Sequence, residues 1–258
     1  MASLRFFTAI AFASLRTSLP SCGRRSSPPA PLCAVAQHSE SWKTSGPYVK
    51  KGQSGAHSQA CGGQAELLIE AGCTYISVDE PVFVRYPAKV EVWGIRMLDK
   101  LLEGLQCYKA VHICCSYPTC PQKADCRLYQ NIAEQLAASA LDAVSIEYAN
   151  KEFDLKEVLV PLEQAKKSVI LGVIRVHEDV ESVELIKERA HKALQYIHPS
   201  RLLLGPDCGL VCISREASLA KMKNMTQAAA ELNKELNIED IQACNVNAFP
   251  RPYAELHQ

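Results

Sequence analysis

Between Ala65 and Leu236 the chain alternates short apolar runs of strand length with segments whose apolar residues recur at helical spacing. TYISVDEP, AVHICCS, AVSIEY, VILGVIRV and LLLGP read as strands. Between them, helix faces are marked by Leu98, Leu101, Leu102 and Leu105, by Leu128, Ile132 and Leu136, by Leu155, Val158, Leu159 and Leu162, and by Val183, Ile186, Ala190 and Leu194. A short helix over Ala65 to Gly72 precedes them, and a long one over Leu219 to Leu236 comes after. Asp154 and Glu157 are spaced like a capping box at a helix start. Strand-then-helix repetition implies parallel strands joined by helical crossovers. The strand runs are almost wholly apolar, as expected when both faces of a sheet are buried.

A (β/α)8 barrel of the TIM type and a doubly wound sheet both satisfy this pattern. Polar residues gather at the C-terminal ends of successive strands, where barrels build their sites, so the expected class is α/β of the (β/α)8 TIM-barrel type. Five strand runs span roughly 170 residues, against about 250 for a typical complete barrel, so strands are expected to be missing on the N-terminal side. The expected division is a leader over 1–64, a barrel domain over 65–240 and a tail over 241–258.

The leader differs in composition. It is rich in Ser, Pro, Gly and Arg, and Glu40 is its only acid. Arg5, Arg16, Arg24 and Arg25 punctuate a Ser/Ala-rich stretch, as in organelle transit peptides. FFTAIAFASL could instead serve as a signal-peptide core, and a disordered leader with no targeting role is a third reading. A transit peptide implies a mitochondrion or plastid; otherwise the chain is expected to be cytoplasmic. Twenty-eight bases balance 28 acids, which argues against nucleic acid or a membrane surface as partner. No apolar run approaches the ~18 residues of a membrane span. The 12 cysteines form no regular framework, and several lie inside strand runs, so mostly free thiols in a reducing compartment are expected.

Side chains alternate along a strand. His112 and Cys114 therefore share a face and Cys115 points away, while Ser77 pairs with Asp79, Ser145 with Glu147 and Arg175 with His177. If each set faces one axis, Asp79, His112, Cys114, Glu147 and His177 surround a cavity mouth. Cys208 joins them from the loop after the last strand, where Gly205 and Gly209 permit tight turns. His, Glu and Cys offer the nitrogen, oxygen and sulfur donors of a four-coordinate zinc site. Zinc bound there would suit thiol activation, because coordination deprotonates a thiol whose free pKa is about 8.5. Taken singly, each residue also has an ordinary use: a strand cysteine as a small buried apolar group, a strand-end Glu or His as a cap or ion-pair partner. Cys115, Cys120 and Cys126 match no usual zinc spacing.

At these positions the chain resembles the C-terminal, zinc-containing barrel domain of cobalamin-independent methionine synthase and its shorter stand-alone relatives. VDEP, VHICC, VSIE, GVIRVH and GPDCGL keep the family's order, and KMKNMTQAAAEL resembles the helix after them. The resemblance implies zinc held by His112, Cys114, Glu147 and Cys208. It also implies that Asp79 binds the homocysteine amine and that His177 donates a proton. The implied reaction is methyl transfer from a methylated folate to the homocysteine thiol, giving methionine. Departures from the family pattern are Arg85, where an acid is expected, and Arg175, two residues before His177. Two alternatives stand beside this expectation. One is a zinc thiol methyl- or alkyltransferase using a methylcorrinoid or another donor, or another small thiol. The other is a truncated, non-catalytic barrel that still binds zinc.

Overall fold

The computed structural model describes residues 33–37, as the course of a strand alone, and residues 65–70, 73, 75–80, 83–113, 129–150 and 152–236. Its strands are β1 (Cys33–Gln37), β2 (Tyr75–Asp79), β3 (Tyr108–Ile113), β4 (Ala143–Ile146), β5 (Ser168–Ile174) and β6 (Leu202–Pro206). Its α-helices of six residues or more are α1 (residues 65–70), α2 (Ile95–Leu102), α3 (Ala133–Ala138), α4 (Leu155–Gln164), α5 (Val183–Leu194) and α6 (Arg215–Glu235). The five strands expected from the apolar runs all form. A sixth, β1, lies within the residues read as a leader and pairs with β2, from Cys33 opposite Tyr75 to Gln37 opposite Asp79.

All neighbouring strands are parallel and lie in sequence order, β1-β2-β3-β4-β5-β6. A doubly wound sheet reverses its strand order at a switch point. No reversal occurs among the described residues. Sequential order is that of a barrel wall, and it sends every strand's C-terminal end to the same edge.

The sheet buries its two faces separately. On the helix side, Ile76, Val78, Val111, Ile113, Val144, Ile146, Val169, Leu171 and Val173 join Leu102, Leu136, Leu159, Leu162, Ile186 and Leu232 in one core. Fully burying such a side chain stabilises the fold by roughly 1.5–3 kcal/mol. The opposite face has its own small cluster of Tyr75, Tyr108, Ala110 and Ala143, in which the two tyrosine rings stack 5.7 Å apart. These residues occupy the N-terminal half of β2 to β4 and form a floor.

The helices begin where short polar side chains can take their free N–H groups. Asp154 accepts from Lys156, Ser182 from Leu185 and Ser214 from Ala217. The capping box at α4 is only half made, because Glu157 instead accepts from the side chain of Gln130. The last helix begins at Arg215, one turn before Leu219, because Ser214 caps it there. Among the described residues no helix is long and apolar enough to cross a membrane.

Candidate functional site

Above the tyrosine floor, one register row crosses the sheet. Gln37 stands opposite Asp79, Asp79 opposite His112, His112 opposite Ser145, Ser145 opposite Ile170 and Ile170 opposite Leu203. The alternation expected from sequence therefore holds for Asp79, His112 and Ser145. Just past this row, β4 gives way to Glu147, and the loop after β6 carries Cys208.

His112 is the centre of the group. It is 2% exposed, and its Nδ1 lies 2.9 Å from Ser145 Oγ. The Cys208 side chain acts on the same imidazole. Burial pulls its pKa down. The interaction with Cys208 and the carboxylates of Asp79 and Glu147 outweigh burial, so the net direction is up. The surroundings thus favour a positive charge at this point of the sheet.

Asp79 is pushed up to about 6, chiefly by burial, with His112 acting against it and Cys208 and Glu80 adding to it. It is still largely ionised at neutral pH. Among the described residues its Oδ1 is a buried acceptor with no hydrogen-bond donor. Glu80, on the other face, is also buried, and its N–H continues the ladder by donating to the His112 carbonyl at 2.8 Å.

The structure brings Asp79, His112, Glu147 and Cys208 together. Cys114 lies outside the described residues, as do Cys115, Cys120 and Cys126. Among the described residues no three His, Cys, Asp or Glu side chains converge tightly enough to hold a metal ion unaided. The donor types nonetheless suit zinc: an imidazole turned by Ser145, a half-buried thiol against it, and a buried carboxylate acting on the same ring.

His177 is not among the groups that act on the His112 ring. The strand β5 ends at Ile174, so alternation no longer governs the residues beyond it. The His177 side chain is 62% exposed and its Nδ1 lies 3.0 Å from Asp179 Oδ2. The Asp179 N–H also approaches Nδ1, at 3.3 Å. Arg175 is half-buried and bonds Glu181 instead of facing the Asp79–His112 row.

Gly205 and Gly209 act differently from the turn role expected of them. Gly209 has a φ of −57°, open to any residue, and Gly205 lies inside β6. A Cβ on Gly205 would stand 2.8 Å from Ile170 Cγ2, so the glycine serves close packing.

Sequence reasoning missed two supporting residues. Tyr129 is buried; its hydroxyl donates to the Ile113 carbonyl at 2.8 Å and accepts from the Glu147 N–H at 3.2 Å. Asp207 is fully buried and accepts from the backbone of Tyr148, Ala149 and Asn150. Burial pushes Asp207 up to about 6 against those three donors and nearby Arg189. Its place inside PDCGL was visible, but only the fold shows what it reaches.

Over 177 residues the chain is 28% identical to the methionine synthase of Pyrococcus horikoshii, covering 68% of this chain and 48% of that protein. Over 185 residues it is 28% identical to the methionine synthase of Saccharolobus islandicus, covering 69% of this chain and 50% of that protein. The chain thus spans about half the length of these curated relatives. Its fold is similar to a B12-independent methionine synthase from Shewanella sp. W3-18-1 solved in complex with selenomethionine. That match has a TM-score of 0.68 and 26% identity, over 80% of this chain and 63% of that one. The family described as cobalamin-independent synthase, catalytic domain, matches residues 58–231, well over half of the chain, and the protein belongs to that family.

Proposed function

We propose that this chain is a zinc-dependent thiol S-methyltransferase on a TIM-type β/α barrel, converting homocysteine to methionine with a methylated folate as donor. The observation that carries the reading is the buried His112 in contact with Cys208, with Glu147 and Asp79 acting on the same ring. These residues come from four different strand ends, as barrel sites do.

In this reading His112, Cys114, Glu147 and Cys208 hold the metal. Zinc, when bound, keeps a substrate thiol deprotonated at neutral pH and so makes it nucleophilic. The protein's own residues position the reactants. Ser145 fixes the His112 ring by taking up Nδ1, which leaves Nε2 as the donor atom. Asp79 presents a buried oxygen in need of a donor, and the ammonium of an amino acid supplies one. The sulfur–carbon bond forms as the methyl carbon leaves the folate nitrogen. The thiol proton departs and that nitrogen gains one. His177 is assigned the proton donation; Asp179 occupies its Nδ1, which leaves Nε2 to exchange the proton.

Purified full-length chain supplied with zinc, homocysteine and methyltetrahydropteroyltriglutamate should form methionine. Stoichiometric zinc without product would overturn this reaction and leave a non-catalytic zinc-binding barrel. Cys208→Ser should weaken zinc binding and abolish turnover together. A second reading, with a methylcorrinoid as methyl source, is motivated by Arg85, which stands where the family pattern has an acid. Turnover with methylcobalamin and none with the folate would select it.

A further inference from the structure

Asp207, the residue before Cys208, is a carboxylate entirely shielded from solvent. Its Oδ1 accepts the N–H groups of Tyr148 and Ala149, each at 2.9 Å, and its Oδ2 accepts that of Asn150 at 2.7 Å. These are the three residues immediately after Glu147. The Asp207 N–H donates to the carbonyl of Ile174, the last residue of β5, at 2.9 Å. One residue therefore ties together the exits of β4, β5 and β6.

Two further features show that the tie is built into the fold. Arg189, from α5, donates to the Val173 carbonyl at 2.8 Å and to the Ala149 carbonyl at 3.2 Å, bracing the same two exits. Opposite Asp207, β5 has Gly172, where a Cβ would stand 2.1 Å from Asp207 Oδ1 and 2.9 Å from its Cα. Only glycine leaves room for the carboxylate. On the far side of Glu147, Tyr129 joins its N–H to the carbonyl of Ile113, the peptide that leads into Cys114.

We propose that Asp207 is a positioning residue for the metal centre, setting the spacing between Glu147 and Cys208, and that Tyr129 sets the spacing between Glu147 and the end of β3. This rests on the reading of Glu147 and Cys208 as ligands. Asp207 shares its backbone with one ligand and binds the backbone just beyond the other, so the two cannot move apart while its bonds hold. Three N–H donors need a group that only accepts; a carboxamide would turn its own N–H₂ against one of them.

The test uses the full chain and three variants: Asp207→Asn, Tyr129→Phe and, as control, Asp142→Asn. Asp142 also binds a backbone N–H, that of Lys109 at 2.8 Å, but at the N-terminal end of the sheet. Zinc dissociation constants are measured by chelator competition, the cobalt(II) absorption spectrum reports ligand geometry, and hydrogen exchange reports residues 148–150. Asp207→Asn and Tyr129→Phe should each weaken zinc by about tenfold or more and shift the cobalt bands. Exchange at 148–150 should quicken in Asp207→Asn, and Asp142→Asn should bind zinc like the parent chain. Unchanged affinity and spectra in both site variants, or equal loss in the control, overturn the proposal. Should Asp207→Asn fail to fold, Tyr129→Phe, which removes a single hydroxyl, decides. A parent chain that binds neither zinc nor cobalt overturns the ligand reading and the positioning role together, whereas metal binding that the variants leave untouched overturns the positioning role alone.

Discussion

Ser145 Oγ lies 2.9 Å from His112 Nδ1, directly across the β3–β4 register. This bond takes up one of the two ring nitrogens and orients the imidazole. Ser145→Ala should lower zinc affinity by about tenfold, the size of effect that partners of a ligating histidine have. Chelator competition measures it, and an unchanged affinity would mean that packing alone orients the ring.

Gly172→Ala should destabilise the protein more than its one added methyl suggests. The new Cβ meets Asp207 Oδ1 at 2.1 Å and the Ile146 carbonyl at 3.0 Å, neither of which is the far end of a flexible chain. Overpacking of this kind costs about 1–3 kcal/mol. Urea unfolding should show a lower midpoint with the slope unchanged.

Asp79→Asn should raise the KM for homocysteine about tenfold or more, since bonds to charged groups contribute roughly 1.5–3 kcal/mol. Zinc content should stay near that of the parent chain. Loss of zinc with an unaltered KM would move Asp79 from substrate binding to the metal centre.

Stability should fall in acid partly through Glu181. This carboxylate is 1% exposed and bonds Lys221 Nζ at 2.5 Å and the Arg175 N–H at 2.9 Å. Burial pushes its pKa up, but Lys221 and the backbone donors overcome that and hold it below its ordinary 4.5. A lowered folded pKa means that its stabilisation is fully present above about 4.5 and is lost as pH falls through the folded value. Glu181→Gln should cost about 3–5 kcal/mol at pH 7, because Lys221 keeps a buried charge. The variant's melting temperature should also vary less between pH 5 and 3 than the parent's. Parallel pH profiles would refute the assignment.

The five strands β2 to β6 were legible because each is a continuous apolar run bounded by turns or helical periodicity. The cluster of Asp79, His112, Glu147 and Cys208 was legible for a related reason: parallel strands deliver their ends to one edge. β1 was not, since CAVAQ has a single β-branched residue and sits among serines and prolines. His177 shows where the alternation rule stops, three residues beyond the last ladder position of β5. Asp207 and Tyr129 were beyond reach because their partners are set by register: Asp207 binds residues 57 to 59 positions earlier in the chain.

That long reach has a consequence for how the protein is made. During synthesis β2 to β5 emerge and can pair while the loop after Glu147 still lacks its anchor. The anchor arrives with β6, whose docking also covers the open edge of β5. On the proposed ligand set Cys208 therefore joins the site last, and zinc uptake by a growing chain would report that β6 has docked.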